Sequence, residues 1–161
     1  MHLHTKMSAM DSTVEVVEAV KLAARWGHKA LAVTDHGVVQ AFPDAAEVAK
    51  KLGVKILYGM EGYLVESAER IPLKKAETDE AAKQNEKEHS HHIILLAGNM
   101  TGLHNLYKLV SRAHLDYFYR HPLLPREVLN QYREGLIVGS ACEAGELFQA
   151  MLAGSSDEDL E

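Results

Sequence analysis

One apolar run of the sequence ends in side chains that can do chemistry. The aliphatic stretch 31–33 is followed at once by Thr34, Asp35, His36 and Gly37. This content predicts a short buried strand, and the glycine permits a sharp turn directly after it. His36 would then lie at the carboxyl end of a strand, where α/β folds place their active sites. An isolated Asp-His pair is more often a local hydrogen bond, so this interpretation depends on other residues.

Further donor side chains stand at or beside other predicted strand ends. They are His2, His4, Asp11, Glu61, His92 and Cys142. Imidazole, carboxylate and thiolate together favour zinc or manganese, with iron as a further candidate, over magnesium or calcium. The set exceeds what one ion can bind, which indicates roughly two or three metals and suits hydrolysis of phosphate esters. Asp35 is the candidate to orient a ligating imidazole without binding the metal itself.

The alternative is that these residues share no site. The chain has ten histidines, and they could be scattered over the surface or satisfied in the core. A bare His-x-His at a terminus is more often chance or the remnant of an affinity tag. The choice between these readings depends on whether the fold brings the donors together.

The elements that must position the donors follow from hydrophobic periodicity. Strands are predicted at 30–33, 55–58, 93–97 and 136–138, and His2 and His4 on a further strand would point to the same side. Helices are predicted after a Ser12/Glu15 capping box, from Pro43, after a Thr101 cap, from Pro125 and over 143–152. Strands that alternate with helices indicate parallel pairing through crossovers.

Composition limits the class of protein. A length of 161 residues suits one domain, and 47% hydrophobic and 25% charged residues are typical of a globular protein. The net charge of -6 argues against direct binding of duplex DNA by charge alone. No run of membrane-spanning length and no signal peptide is present, so a cytoplasmic location is expected. The single cysteine, Cys142, excludes an internal disulfide and suits a reducing compartment.

A change in composition divides the chain. The segment 66–90 is rich in charged residues and has few large apolar ones, so it is expected to be a solvated linker. It separates two α/β portions at 1–65 and 91–154, and 155–161 reads as an acidic tail cut off within a connection.

Several motifs resemble a known family. His2-Leu-His4, Thr34-Asp-His36, Gly59-Met-Glu61 and His92, in this order, look like the motifs of the polymerase and histidinol phosphatase (PHP) superfamily. Within it, longer runs are similar to bacterial DNA polymerase III alpha subunits of the PolC type. These runs lie at 4–11, 26–30, 36–43, 117–120 and 139–148.

The resemblance implies an α/β fold, a distorted (β/α)7 PHP barrel with a metal cluster at its mouth. The ligand positions would be His2, His4, Asp11, His36, Glu61, His92 and Cys142. This chain would supply about five of the seven strands. PolC-type chains usually carry a proofreading exonuclease where 66–90 stands here, and they continue into strands with an Asp-x-His pair. A piece without those strands is expected to bind metal weakly or to need another chain.

The same resemblance implies function. The first hypothesis is metal-dependent phosphoester hydrolysis, as a 3′ to 5′ exonuclease or a pyrophosphatase, within a replicative DNA polymerase. The second is a catalytically silent, metal-stabilised scaffold domain of that polymerase. A free-standing enzyme similar to histidinol phosphatase is a third hypothesis, disfavoured by the runs at 117–120 and 139–148. The expected partners are the remainder of the polymerase chain and, through the holoenzyme, DNA, but no membrane.

Overall fold

The computed structural model describes residues 2–71 and 90–156. Most of the predicted linker, and the tail from 157 onward, lie outside these ranges. The strands are β1 (Ala30–Val33), β2 (Lys55–Val65), β3 (His91–Ala97), β4 (Phe118–Tyr119), β5 (His121–Pro125) and β6 (Leu136–Gly139). The helices are α1 (Val16–Arg25), α2 (Phe42–Leu52), α3 (Met100–Leu115), α4 (Arg126–Gln131) and α5 (Glu146–Leu152), with a 3-10 turn at Ala68–Arg70. The fold is therefore mixed α/β, as predicted.

The long strand β2 lies at the centre of the sheet. The strand order is β4-β5-β2-β3-β6, and β1 also pairs with β2. Strands β1 and β5 run parallel to β2, whereas β3 is antiparallel to it and β6 is antiparallel to β3. The prediction of parallel pairing throughout is thus wrong for β3 and β6. For β3 to run parallel to β2, the connection between them would have to cross over and pack on the sheet. The polar sequence 66–90 offers few apolar residues for such a connection.

Helices cover the sheet through apolar stripes. Helix α1 buries Val16, Val20 and Ala23, which recur at helical spacing as predicted. Side chains with no exposed surface in the core include Val20, Val33, Leu95 and Leu106. Helix α2 has Pro43 in its first turn, so the predicted start is confirmed, and it ends at Gly53, whose φ of 70° is left-handed. No helix in the described ranges combines the length and apolarity needed to cross a bilayer.

The predicted capping box of α1 is wrong. The helix begins at Val16 after Glu15, which makes no side-chain cap. Ser12 instead lies in the preceding loop, where its hydroxyl donates to the His4 carbonyl oxygen at 2.8 Å and accepts from the Val14 N–H at 3.1 Å. The Ser12 hydroxyl therefore fixes the backbone of His4, one of the predicted metal ligands, and does not cap the helix.

The start of α3 allows a test of packing. Asn99, not the predicted Thr101, caps the helix by accepting a hydrogen bond from the Gly102 N–H at 2.9 Å. A Cβ on Gly102 would overlap the Gly135 carbonyl oxygen, a backbone atom that cannot move aside alone. We expect Gly102→Ala to lower the free energy of unfolding by about 2 kcal/mol in urea denaturation.

The matched control is Gly139→Ala, because the nearest atoms to a Cβ there are 3.4 Å away or farther. Equal losses in the two variants would contradict the close approach of α3 to the loop before β6.

Backbone contacts bring the predicted donors to β2. Residues 2–5 do not form the predicted strand, but Leu3 lies beside β1, since the Thr34 backbone N–H donates to the Leu3 carbonyl oxygen at 3.0 Å. The loop after β1 continues along β2 through an isolated bridge between His36 and Glu61. A second bridge, between His92 and Gly145, brings the loop after β6 to the start of β3. Three separate chain segments therefore meet around Glu61.

Candidate metal centre

Glu61 is the centre of the cluster. Its side chain is 1% exposed, and it lies in the middle of β2 rather than at the predicted strand end. Its Oε2 is 2.6 Å from His2 Nε2 and 2.8 Å from His4 Nε2, and its Oε1 is 2.9 Å from His92 Nδ1. His36 Nδ1 is 3.7 Å from Oε2. One buried carboxylate is thus surrounded by four imidazoles.

The remaining predicted donors lie at the edge of this group. Asp11 Oδ2 is 3.2 Å from His4 Nδ1 and 3.7 Å from His36 Nε2. Cys142 Sγ is 3.7 Å from His92 Nδ1 and 3.9 Å from the nearer Glu61 oxygen. All seven residues proposed from the sequence therefore lie in one cluster. That they bind metal stays a prediction.

The arrangement fits a divalent cation. The imidazole nitrogens and carboxylate oxygens form three overlapping groups. Within each group, the ligand atoms lie at most 4.8 Å from one another. The groups are His2, His4 and Glu61; His4, Asp11 and His36; and His36, Glu61 and His92. In the described ranges the buried His36 Nδ1 is a polar atom without a hydrogen-bond partner. Because buried polar atoms are rarely left unsatisfied, this nitrogen is suited to a metal ion.

Asp35 fixes the loop that carries two of the donors. The carboxylate is 1% exposed and accepts hydrogen bonds from the Thr5 N–H at 2.6 Å, the Thr5 hydroxyl at 2.9 Å and the Ser8 hydroxyl at 2.8 Å. Asp35 was predicted to orient an imidazole, and its contact with the residues His4 and His36 runs through Ser8. The Ser8 hydroxyl oxygen lies 3.2 Å from His4 Nδ1 and accepts a hydrogen bond from the backbone N–H of His36 at 3.0 Å.

The cluster changes the acidity of its members. Burial opposes ionisation of Glu61, but hydrogen bonds from His92 and His2 and the positive charge of His2 and His36 outweigh it and lower its pKa to about 2. Burial lowers the pKa of His36, an effect that Glu61 opposes and that His4 and His92 reinforce. A carboxylate that stays charged and an imidazole that stays neutral are the states that bind metal.

These shifts predict loss of stability in acid. The pKa of Glu61 falls from 4.5 in the unfolded chain to about 2, so its contribution is present above pH 4.5 and is lost as the pH falls toward 2. The pKa of His36 lies below 6.5, so below pH 6.5 the unfolded chain binds the proton more readily than the native one. We expect the free energy of unfolding of metal-free protein to decrease steadily from neutral pH to pH 3, measured in urea with chelator present. A constant or rising value would contradict the geometry.

Sequence reasoning missed two residues of the site. Tyr63 stacks on His36, with ring centroids 5.5 Å apart and planes 16° apart, and it meets His92 edge-on at 5.3 Å. Burial and the charges of Glu61 and Asp11 raise its pKa. The available signal was its position two residues after Glu61, because side chains at that spacing on a strand share a face. Ser8 gave no such signal, since its role depends on the loop.

Comparisons with known proteins show the family to which this chain belongs. The PHP domain family matches residues 1–161. "DNA polymerase III PolC-type" from Clostridium perfringens is 27% identical over an alignment of 343 residues. The alignment includes 99% of this chain and 24% of that protein. The protein of that name from Staphylococcus epidermidis is 47% identical over 113 residues, 70% of this chain and 7% of its own length. "DNA polymerase III subunit alpha" from Aquifex aeolicus is 34% identical over 145 residues, 90% of this chain and 12% of that protein.

This chain thus spans no more than 24% of the length of those relatives. Among solved structures, a protein from Bifidobacterium adolescentis superposes with a TM-score of 0.45 and 18% identity over 70% of this chain and 31% of its own. That likeness is too low to carry an argument. The family match covers every residue of the sequence, including all seven donors, and the chain therefore belongs to the PHP domain family.

Proposed function

We propose that this chain is the PHP domain of a PolC-type DNA polymerase III alpha subunit and that its cluster hydrolyses phosphoesters with divalent metal. The observation that carries the proposal is the buried carboxylate of Glu61 among four imidazoles. The names of the relatives support the polymerase part of the proposal. The reaction would be a 3′ to 5′ exonuclease or pyrophosphatase reaction.

The cluster would hold the metal through the seven donors already described. Nitrogen, oxygen and sulfur together favour zinc or manganese, with iron as a third candidate. Bound divalent ions supply a water of low pKa and positive charge opposite the phosphoryl oxygens. The chain itself fixes the donors, since Glu61 anchors three imidazoles and Asp35 holds Thr5 and Ser8.

The open side of the cluster would admit the substrate. The Asp11 side chain is 47% exposed and that of His2 is 31% exposed, whereas Glu61 is closed off from solvent. The phosphoester would therefore approach from the side of Asp11. Tyr63 is protonated at neutral pH, since a phenol ordinarily is and burial raises its pKa further, so its hydroxyl can donate a hydrogen bond.

The division of the chain belongs to the same proposal. The alignment with the Clostridium perfringens relative has 343 positions against the 161 residues of this chain, a difference of 182. The relative therefore contains inserted residues. We place the insertion at 66–90, between the barrel portions 1–65 and 91–154, and we assign 155–161 to the following connection. The partners would be the rest of the polymerase chain and, through it, DNA in the cytoplasm.

A second candidate function is a scaffold in which the metal serves folding alone. It is favoured by the observation that the cluster itself ties residues 2–12 to the sheet. His2 and His4 bond Glu61, and Thr5 and Ser8 bond Asp35. Metal that stabilises this attachment would contribute to stability without any turnover.

Substitution His36→Ala separates the two functions. The enzyme proposal predicts at least a 100-fold loss of Mn²⁺-dependent hydrolysis of bis(p-nitrophenyl) phosphate and of a single-stranded oligonucleotide, with a nearly unchanged melting temperature. His104→Ala, which removes an exposed imidazole from α3, is the control and should leave both unchanged. Unfolding of the His36 variant, or activity equal to that of the unaltered protein, would favour the scaffold.

A further inference from the structure

A column of stacked rings leads out of the cluster to the surface. Tyr63 lies between His36 and His121, at centroid distances of 5.5 and 4.6 Å, with interplanar angles of 16° and 27°. His36 and Tyr63 are half-buried, whereas His121 is exposed. In the described part of the chain, Tyr63 is the one ring that contacts His121. Among the described residues, no other ring covers the outer face of His121.

The hairpin that carries His121 is fixed to the site. Strands β4 and β5 pair Tyr119 with His121, so the hairpin turns at Arg120, which has a left-handed φ of 59°. A side chain rarely adopts this conformation without a local reason, and such positions cluster at functional sites. Pro122 packs so closely on Gly37 that a Cβ there would overlap its ring. The aromatic tip is thus held directly beside the loop that carries His36.

A second contact holds the base of the hairpin to the same loop. The His114 ring donates from Nε2 to the Gly37 carbonyl oxygen at 3.0 Å and stacks on Phe118 at 6.0 Å. At the tip, the Arg120 guanidinium lies 5.5 Å from the centre of the Tyr119 ring. A flat exposed ring such as His121 is the kind of surface on which the bases of single strands stack.

We propose that the outer face of His121 is a stacking platform for a nucleobase of a single-stranded nucleic acid whose phosphodiester lies at the cluster. The proposal rests on the proposed phosphoesterase function and names its substrate class. A base on His121 would stand three ring spacings from His36, farther than a nucleotide's own base lies from its phosphate. The stacked base therefore belongs to a nucleotide near the scissile one and not to the scissile nucleotide itself.

The test uses oligonucleotides that lack one base. A set of single strands, each with one abasic position near the 3′ end, is hydrolysed by the Mn²⁺-loaded protein. We expect kcat/KM to fall on the order of tenfold when one particular neighbouring base is missing, since stacking of this kind is worth about 5- to 150-fold in affinity. His121→Ala should remove this discrimination, and His121→Phe, which keeps a flat ring, should restore it. His104→Ala is the control, because His104 is an exposed imidazole on α3 and lies outside the column.

The proposal would be overturned if the unaltered protein hydrolyses every abasic strand with the same kcat/KM. It would also be overturned if His121→Ala still distinguishes the strand that lacks the particular base. If no oligonucleotide is hydrolysed, the phosphoesterase proposal fails, and binding of a single strand with 2-aminopurine at successive positions decides the platform separately. Quenching of the probe at one position, lost in His121→Ala and kept in His121→Phe, would support the platform. The absence of quenching in the unaltered protein would overturn it.

Discussion

Replacing Glu61 by glutamine is expected to weaken divalent metal binding by more than about 100-fold. Loss of groups that only orient ligands already costs about 10- to 100-fold, and Glu61 contributes to two of the three donor groups. Glutamine keeps the shape of the side chain but removes its charge. It also presents an amide that cannot accept from imidazoles on both sides as a carboxylate does. Hydrolysis should fall by at least the same factor.

Titration calorimetry with Mn²⁺ measures this effect directly. The matched control is Glu143→Gln, because Glu143 is an exposed carboxylate one residue from Cys142 and outside the donor groups. The two variants change net charge equally, so a difference between them isolates the central position. Equal affinities for both variants and the unaltered protein would contradict the role assigned to Glu61.

Replacing Asp35 by asparagine is expected to cost about 3 kcal/mol of stability. The carboxylate accepts three hydrogen bonds in a site with 1% exposure, and bonds to a buried charged group contribute about 1.5–3 kcal/mol each. Asparagine presents an NH2 group to donors that need an acceptor, so at least one of Thr5 and Ser8 loses its partner. Because Ser8 contacts His4 and His36, metal affinity should fall as well.

Urea denaturation of the metal-free protein measures the loss of stability. Asp116→Asn serves as the control, since Asp116 pairs with Arg112 on the surface of α3 at 2.8 Å and exposed pairs contribute at most about 1 kcal/mol. A loss of less than about 1 kcal/mol in Asp35→Asn would mean that the Thr5 to Ser8 loop is held by other contacts.

The donor set was accessible from the sequence because its chemistry is local. His36 and His92 stand beside apolar runs, His2 and His4 form a His-x-His pair, and the order of the motifs resembles one family. Helix α1 was predictable for the same reason, since its buried stripe repeats at the helical period. Pattern and residue type alone were sufficient for these features.

Other features depend on contacts that no pattern encodes. The sequence suggested a strand ending near Tyr58, but β2 continues to Val65 because it gains neighbours on both sides, β3 and β5. Glu61 is buried in mid-strand only because the imidazoles compensate its charge. Likewise, residue type predicted that Asp35 orients an imidazole, but not its partners, which are a threonine and a serine about 30 residues earlier in the chain.

The central claim is that the donors around Glu61 form one metal site. Elemental analysis of the purified protein for zinc, manganese and iron, before and after reconstitution, tests it most directly. We predict at least one equivalent of divalent metal per folded chain in the unaltered protein, lost in Glu61→Gln and kept in Glu143→Gln. A folded protein that carries no metal above background after reconstitution would contradict the claim.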